Sequence, residues 1–491
     1  MGAIIAIFSL DGKRDVFSAA TRMMKALVDR GDECFGIGTP DEAFALESQA
    51  QLSQQRISSP TVVGFNLKKI FPKELPQPLT SEKLRLVFEG RIFPTSQISD
   101  CAKALSKLEE VRLELPQFVK ETDGAYATAV IRGGALLVAR DLLGCKPLYW
   151  GEVNGRVAFA SERKALWTIG IDSPHTFPPG AVASVDIGGH SIQRSNMQFS
   201  LVEQEIDLDS ASKKLWELIS NAIQKRTGDL KQVAVAYSGG LDSGILAHCS
   251  QAAGLDVELF TVTVKGNGEL EDARKTAKEL GLPHTERVYS LADVREAIPE
   301  VVRRIEKPNV MDVSIAIPLL WACQLAEENG FQVIFTGQGA DELFGGYDRY
   351  ITAFQRHGLK EANRMMFRDV LRLSELSLER DEQVSASMKT ELRLPFVDQD
   401  LIRFALSLPA SLKIGGVEES RQKLVLRRVA KLQGIPGSIY ERPKRAVQYS
   451  TGVDASIRLL ARSAGFTPQT YLMETYNRIR KEIVERSNCE K

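Results

Sequence analysis

The stretch Ser238-Gly239-Gly240-Leu241-Asp242-Ser243-Gly244 decides the fold of the carboxyl-terminal half. It follows the apolar run Val233-Ala-Val-Ala-Tyr237 and precedes a helical pattern, so it is the turn of a strand–turn–helix unit. Glycines in such a turn let the backbone approach a phosphate, while backbone N–H groups and the helix N-terminus supply positive potential. The stretch predicts a phosphate-binding loop; a glycine-rich turn without a ligand is the alternative. It lacks the lysine of a Gly-x-x-x-x-Gly-Lys-Ser/Thr loop, which disfavours γ-phosphate transfer.

A second glycine-bearing string, Thr-Gly-Gln-Gly-Ala-Asp-Glu-Leu-Phe-Gly-Gly-Tyr at 336–347, also follows an apolar strand. Strand and helix patterns alternate from residue 210 onward, which predicts a parallel, doubly wound sheet. Both strings would then meet at the carboxyl ends of their strands, where such sheets bind ligands. Asp242 and Asp341 are candidates to share one Mg²⁺ with nucleotide phosphates, because that ion prefers carboxylate oxygens. Alternatively, Asp341 and Glu342 are a solvated pair on a loop.

The third feature is basic and runs through Arg421, Lys423, Arg427, Arg428 and then Arg442-Pro443-Lys444-Arg445. Such cations usually form an exposed helix face, and a chain without interleaved aromatic residues gains little for nucleic-acid binding. Lys444 is the exception, because a lysine in a rigid turn suits the charge that develops on phosphate and on a tetrahedral oxyanion.

The first 200 residues have the pattern of short antiparallel strands, such as Gly124–Ile131 and Ala135–Ala139 around a glycine turn. Helical spacing over Phe17–Arg30 and Cys101–Val111 predicts helices that cover these sheets, in an α+β layered domain. The periodicity is lost around 196–209, which separates domains at 1–200 and 210–491. The last ~130 residues read as mostly helical, and the charged tail Arg480–Lys491 is expected to fray.

The chain has 491 residues with 63 basic and 63 acidic side chains, which argues against a dedicated polyanion binder. Its six cysteines contain no Cys-x-x-Cys pair, so neither a disulfide framework nor a zinc site is expected, and the location predicted is cytoplasmic. The longest apolar uncharged stretch, Val313–Leu325, is shorter than the roughly 20 residues of a membrane span and contains Pro318. No membrane helix is expected, and the apolar residues 1–10 are interpreted as a first strand.

Further strings complete the pattern: 140–149 (Arg-Asp-Leu-Leu-Gly-Cys-Lys-Pro-Leu-Tyr), 159–166 (Phe-Ala-Ser-Glu-Arg-Lys-Ala-Leu) and 391–398 (Glu-Leu-Arg-Leu-Pro-Phe-Val-Asp). With them the sequence resembles the asparagine synthetase family of ATP-dependent amidotransferases over nearly its whole length. The resemblance implies an N-terminal-nucleophile hydrolase-like glutaminase domain, followed by an α/β doubly wound ATP-pyrophosphatase (PP-loop) domain with a helical C-terminal part. The strings at 140–149 and 161–164 are interpreted as structural turn and packing residues.

The resemblance also implies a reaction that forms AMP. The β-carboxylate of aspartate attacks the α-phosphorus of ATP, pyrophosphate leaves, and ammonia displaces AMP from the acyl adenylate. The resemblance implies these roles: Ser238, Gly239, Gly240, Leu241, Asp242 and Ser243 for pyrophosphate; Asp242 and Asp341 for Mg²⁺; Lys423 and Lys444 for phosphate charge; Ala236, Val264, Thr336 and Gly337 for the nucleoside and α-phosphate; Glu342 and Arg393 for aspartate. The expected partners are aspartate, ATP and ammonia, with neither nucleic acid nor membrane, and dimers are common in the family.

Three departures from the family concern the glutaminase domain. Glutamine-using members have Cys at position 2, where this chain has Gly2, and glycine carries no nucleophile. The family's Asn-Gly-Glu turn is Glu89-Gly90-Arg91 here, and Ser59–Pro78, near the expected glutamine-binding arginine, has only lysines as basic residues. We therefore expect an inactive glutaminase domain, with nitrogen from free ammonia or from a separate glutaminase subunit.

Two further readings stay open at this stage. Gln338 stands where many members have glutamate, which leaves room for AMP-forming amidation or lactam formation on another carboxylic acid. Lactam-forming relatives use a tyrosine–glutamate pair, but Tyr347 and Tyr350 do not match its position. A non-catalytic ATP-binding regulatory subunit is the third class; it is disfavoured because Ser238, Asp242, Asp341, Glu342 and Lys444 are all present.

Overall fold

A computed structural model describes residues 2–109, 114–195, 199, 201–266, 269–415, 422–443 and 450–489. Its strands are β1 Gly2–Ser9, β2 Cys34–Gly38, β3 Ala43–Leu46, β4 Thr61–Leu67, β5 Leu79–Thr80, β6 Leu84–Ile92, β7 Gly124–Arg132, β8 Ala135–Arg140, β9 Tyr149–Val153, β10 Arg156–Ala160, β11 His175–Thr176, β12 Ala181–Asp186, β13 Gly189–Arg194, β14 Gln232–Ala236, β15 Asp256–Val264, β16 His284–Tyr289, β17 Val333–Phe335 and β18 Glu391–Arg393.

The α-helices of the described residues are α1 Phe17–Lys25, α2 Gln49–Gln54, α3 Asp100–Glu109, α4 Leu115–Glu121, α5 Arg163–Trp167, α6 Leu208–Thr227, α7 Leu241–Ala252, α8 Glu269–Leu280, α9 Leu291–Ile305, α10 Val310–Glu328, α11 Ala340–Phe344, α12 Asp348–His357, α13 Leu359–Leu371, α14 Glu379–Ser385, α15 Gln399–Ser407, α16 Leu424–Leu432, α17 Gly437–Tyr440, α18 Val453–Ser463 and α19 Pro468–Cys489. A π-helix at Ser374–Leu378 and 3₁₀-helices at Val28–Arg30 and Ala410–Leu412 complete the set.

Two antiparallel sheets face each other in the amino-terminal half. Their strand orders are β11-β9-β10-β1-β4-β2-β3 and β13-β12-β8-β7-β6-β5. Alternate residues of β1 serve two cores: Ile4 packs between the sheets, whereas Ile5 packs with the residues of α1. Helices α3 and α4 cover the second sheet on its other face. This is the layered α+β arrangement of an N-terminal-nucleophile hydrolase, as expected.

The third sheet, in the carboxyl-terminal half, is wholly parallel, with the order β16-β15-β14-β17-β18. Helices pack on both of its faces, because Val233 and Val235 join one apolar core and Ala234 joins the other. Strands β14 and β17 are direct neighbours, with Val235 opposite Phe335. The doubly wound prediction is confirmed, and the loops after β14 and β17 leave the sheet at the same edge.

Several local predictions need correction. The helix expected over Phe17–Arg30 ends at Lys25, and a 3₁₀ turn follows it. Strands β16 and β18 were not expected, because three to six residues without strict alternation carry little signal. The tail expected to fray is helical to Cys489, since Ile479 and Ile483 pack into the core. The division at 200–210 stays a prediction.

The apolar stretch around Pro318 forms one helix, α10, because Pro318 lies inside it without ending it. Its 19 residues are long and apolar enough to cross a membrane, and 67% of its most apolar 18-residue stretch is buried inside the protein. Leu320 and Trp321 pack against β14, β15 and α9 in the core beneath the parallel sheet. A buried core helix accounts for this composition.

Candidate functional site

The loop after β14 is shaped to present backbone N–H groups. Gly239 has φ +71°, and a Cβ there would lie 2.8 Å from an Arg442 nitrogen and 3.1 Å from Ala273 Cα, so only glycine fits without strain. The N–H of Gly240 donates to Ser238 Oγ at 3.3 Å, and Ser243 Oγ lies 3.4 Å from Ser238 Oγ. Helix α7 follows Gly240, which has no side chain to cap it, so its first N–H groups are available to an anion.

Lys423 joins this loop to the loop after β17. Its Nζ lies 2.5 Å from Asp242 Oδ2 and 2.5 Å from Asp341 Oδ1. The Lys423 side chain is 4% exposed, whereas those of Asp242 and Asp341 are 22% and 19% exposed. Two carboxylates from separate loops therefore face one cationic centre, which is the convergence that the sequence predicted.

The two carboxylates fit a magnesium ion held jointly by protein and nucleotide. Asp242 Oδ1 is buried and has no hydrogen-bond partner in the described part of the chain. A Cβ at Gly346 would lie 1.9 Å from Asp341 Oδ1, so glycine leaves the space around that oxygen open. Among the residues described, no group of three or more His, Cys, Asp or Glu side chains forms a metal site. Mg²⁺ usually takes one or two carboxylates and completes its shell with phosphates and water.

Glu342 is the third carboxylate of this edge and is only 2% exposed. Tyr347 donates a hydrogen bond from its hydroxyl to Glu342 Oε1 at 2.8 Å, and Glu342 Oε2 has no partner among the described residues. Burial raises the pKa of Glu342, and the hydrogen bond from Tyr347 opposes that rise. A buried, oriented carboxyl group of this kind suits recognition of one polar substrate group.

The other predicted nucleotide-binding residues also lie at this edge. Ala236 ends β14 and Val264 ends its neighbour β15, where the Val264 N–H donates to the Thr451 carbonyl at 2.9 Å. Thr336 follows β17, and its buried Oγ1 has no hydrogen-bond partner within the described ranges. A Cβ at Gly337 would lie 2.7 Å from Asp242 Cβ, so the two loops touch.

Two other predicted residues are Arg393 and Lys444, and Arg393 ends β18 opposite Phe335 of β17. Arg393 donates to Glu391 at 2.7 Å, to Asp229 at 2.8 and 3.1 Å, and to the Arg226 carbonyl. Its guanidinium is fully engaged in a buried ion network, so the geometry does not support the expectation that it binds aspartate. The second residue, Lys444, lies outside the described residues, as do Arg421 and Arg445.

No specific sequence signal identifies Arg442 and Arg427, whose basic stretch has the composition of an exposed helix face. Arg442 donates from Nη1 to the carbonyls of Gly239 at 3.3 Å and Ser238 at 3.5 Å, and from Nη2 to Asp272 at 3.0 Å. Arg427 donates to backbone carbonyls on two segments. Only the tertiary contacts identify them, because each partner is distant in sequence or is a carbonyl that every residue has.

The amino-terminal domain has no space for a nucleophilic side chain at residue 2. A Cβ at Gly2 would lie 1.9 Å from the Asn66 carbonyl oxygen and 3.0 Å from Phe65. Cys34 lies on β2, and β4 lies between β2 and β1. Two strand spacings put β2 roughly 10 Å from β1. Burial raises the pKa of five of the six cysteines: Cys34, Cys101, Cys145, Cys249 and Cys323.

The Glu89-Gly90-Arg91 string lies inside strand β6, paired with β7, and is not the turn that the resemblance implied. Glu89 pairs with Arg30 and accepts from Ser161 Oγ at 2.5 Å. Arg91 donates from Nε to Glu391 of β18 at 2.8 Å, and so links the two halves of the chain. A cavity of about 20 Å³ beside Gly90 and Arg91 holds about one water molecule, far less than a glutamine side chain needs.

Comparisons with known proteins agree with this geometry. The family model described as asparagine synthase matches residues 214–358 and 352–485, together more than half of the chain, and that described as a glutamine amidotransferase domain matches 67–168. The chain is 28% identical to a putative glutamine-hydrolysing asparagine synthetase of Methanocaldococcus jannaschii, over 94% of this chain and 96% of that protein. It is 30% identical to an Arabidopsis thaliana asparagine synthetase, over 76% of this chain and 65% of the relative.

Among solved structures, a glutamine phosphoribosylpyrophosphate amidotransferase from B. subtilis covers 58% of this chain and 65% of its own. Its identity of 16% and TM-score of 0.32 add nothing to the assignment. The family model, the matching relatives and the two domain folds together support one conclusion: this chain belongs to the asparagine synthetase family.

Proposed function

We propose that this protein makes asparagine from aspartate, ATP and free ammonia, and that its amino-terminal domain does not hydrolyse glutamine. Membership of the family makes the chain a carbon–nitrogen ligase that amidates aspartate at the expense of ATP. One observation carries the proposal: Asp242 and Asp341 both contact Lys423 Nζ. They lie in the first turns of α7 and α11, which follow the neighbouring parallel strands β14 and β17. Such a site suits a magnesium nucleotide at the carboxyl edge of the sheet.

In this proposal the chain's own groups bind and orient the triphosphate. The Ser238–Ser243 loop offers backbone N–H groups and two hydroxyls to pyrophosphate, while Ala236, Val264, Thr336 and Gly337 surround the nucleoside and α-phosphate. Lys423, with Lys444, stabilises the negative charge that grows on the leaving pyrophosphate. Bound Mg²⁺, held by Asp242 and Asp341, would neutralise phosphate charge.

Glu342 is proposed to bind the amino group of aspartate. It is the buried carboxyl group of this edge, whereas Asp242 and Asp341 are the two that pair with Lys423. The aspartate β-carboxylate attacks the α-phosphorus, which releases pyrophosphate and leaves β-aspartyl-AMP. Ammonia then attacks the acyl carbon, the bond to the AMP oxygen breaks, and the nitrogen loses its extra proton as the amide forms. Positioning of the reacting groups and charge stabilisation account for most of the expected acceleration.

Three features of the amino-terminal domain support ammonia as the nitrogen donor. Residue 2 is a glycine with no room for a side chain, burial raises the pKa of five of the six cysteines, and the charged residues at 89–91 in β6 are engaged in ion pairs. Each feature removes a different requirement of glutamine hydrolysis: the nucleophile, its ionisation and the substrate pocket.

Steady-state assays test the proposal. Purified protein with ATP, Mg²⁺ and aspartate should form asparagine and release pyrophosphate when ammonium is added, and glutamine should not replace ammonium. Asparagine formation with glutamine at a comparable rate, with one glutamate per asparagine, would refute the proposed nitrogen source. A panel of other carboxylic acids tests the alternatives, since only a regulatory subunit would release no pyrophosphate with any acid. We also propose a cytoplasmic location and a homodimer. Sedimentation experiments test the homodimer.

A further inference from the structure

One guanidinium, that of Arg427 on α16, contacts both backbone segments that flank the nucleotide edge. Its Nε donates to the Gln422 carbonyl at 2.7 Å, directly before Lys423. Its Nη1 donates to the Arg442 carbonyl at 3.1 Å and to the Tyr440 carbonyl. The side chain is half-buried, and these contacts join stretches about 20 residues apart in sequence.

The first segment needs this support because Lys423 has an unusual backbone. Its φ is +59°, in the left-handed region that costs a residue with a side chain about 1–2 kcal/mol. Such a conformation persists only where its surroundings fix it. Arg427 does so twice, since its backbone N–H donates to the Lys423 carbonyl at 2.9 Å while its side chain holds the preceding carbonyl. The Lys423 ammonium is thereby directed between Asp242 and Asp341.

The second segment carries Arg442, whose guanidinium lies against the phosphate loop. It donates to the Gly239 carbonyl at 3.3 Å and pairs with Asp272 of α8 at 3.0 Å. Arg442 holds the carbonyls of Ser238 and Gly239 on its own side of the loop. Because the C=O and N–H of a trans peptide point in opposite directions, the N–H groups of these two peptides face away from Arg442. Arg427 fixes the backbone from which Arg442 reaches.

We propose that Arg427 is a positioning residue for the synthetase reaction: from a single planar fork it fixes the two backbone segments that carry Lys423 and Arg442. A guanidinium suits this task because its donors diverge in a fixed plane, whereas a lysine ammonium offers one nitrogen. The inference rests on the proposed function only for the role of Lys423.

The neighbouring Arg428 is a matched control on the same helix. It points away from the site and pairs with Asp209 at 2.5 and 2.9 Å, with its side chain 31% exposed. Arg427→Met, Arg427→Lys and Arg428→Met are compared by pyrophosphate release with saturating aspartate and ammonium, at a temperature where circular dichroism shows each folded. We expect Arg427→Met to lower kcat/KM for ATP about 10- to 100-fold, as small misplacements of catalytic groups do. Arg428→Met should stay within about twofold of the parent protein.

Arg427→Lys should recover little of the loss, because one nitrogen does not reach carbonyls on both segments. In Arg427→Ala, added guanidinium chloride at a few millimolar should restore part of the rate, which a general loss of stability would not allow. Equal rates for Arg427→Met and Arg428→Met, or full activity of Arg427→Lys, would overturn the inference.

A binding measurement separates this inference from the proposed function. Magnesium ATP should raise the melting temperature of the parent protein and of Arg428→Met, but raise that of Arg427→Met less. If the parent protein fails to release pyrophosphate with aspartate while this difference persists, the proposed substrate is wrong and the inference stands. If all three proteins shift equally, the inference is wrong whatever the substrate.

Discussion

Replacing Arg91 with methionine should destabilise the protein through the contact between its two halves. Arg91 is 5% exposed and donates to Glu391 at 2.8 Å, to Asp100 at 3.3 Å and to Glu74. Burial by itself would lower the pKa of Arg91, but the carboxylates of Glu391 and Glu74 outweigh burial and hold it well above its ordinary value. Removing the guanidinium therefore leaves these buried carboxylates with one cation fewer.

The expected magnitude follows from which partners remain. Losing one member of a buried ion pair costs about 3–5 kcal/mol, because the other charge stays desolvated. Glu391 keeps Arg393 at 2.7 Å and Asp100 keeps Lys103 at 3.3 Å, so we expect the lower end, about 3 kcal/mol. A matched control is Arg132→Met, whose partner Glu114 is exposed at 3.5 Å and whose loss should cost less than about 0.5 kcal/mol.

Urea unfolding followed by tryptophan fluorescence compares the two variants through the shift of the transition midpoint. A loss below about 1 kcal/mol in Arg91→Met would refute the ion-pair reasoning.

Three further predictions concern other regions. Asp242→Asn should lower pyrophosphate release at least about 100-fold while circular dichroism shows an intact fold, and an active variant would count against the metal assignment. Gly2→Cys should release no glutamate from glutamine, because Glu89 and Arg91 of β6 stay engaged in buried ion pairs; glutamate release would contradict this. Lys413 is fully buried, its Nζ has no hydrogen-bond partner among the described residues, and burial lowers its pKa to about 7. Between pH 7 and the unfolded value near 10.5 the unfolded chain binds one proton more, so parent stability should rise by up to about 1.4 kcal/mol per pH unit relative to Lys413→Met. Urea midpoints of the parent protein and of Lys413→Met at pH 7.5 and 9 measure this difference in stability. The same change with pH in both proteins would contradict the prediction.

The phosphate loop could be predicted from sequence because its determinants are local. An apolar strand, a glycine turn and a helix follow one another within about 20 residues, and the parallel sheet then brings the second loop alongside. A phosphate-binding role for Lys423 stays a prediction, and its left-handed backbone and its contact with both aspartates are visible only in three dimensions.

Where the structure departs from the local sequence pattern, contacts between different segments of the chain are the physical cause. Arg393 belongs to a motif near the site, but Asp229 and Glu391 engage its guanidinium. Arg427 lies in a stretch with the composition of an exposed helix face, yet its guanidinium donates hydrogen bonds to carbonyls of two other segments. A proline usually ends or kinks a helix, whereas α10 continues through Pro318 in the core. In each case tertiary contacts override a local signal.

The most direct test of the central claim follows the oxygen atoms of the substrate. Aspartate labelled with ¹⁸O in its β-carboxylate is incubated with the protein, ATP, Mg²⁺ and ammonium. Mass spectrometry then measures the ¹⁸O content of each product. If the two loops present the α-phosphorus to that carboxylate, each AMP gains one ¹⁸O and pyrophosphate gains none. Label in orthophosphate together with ADP as the nucleotide product, or unlabelled AMP, would contradict the account.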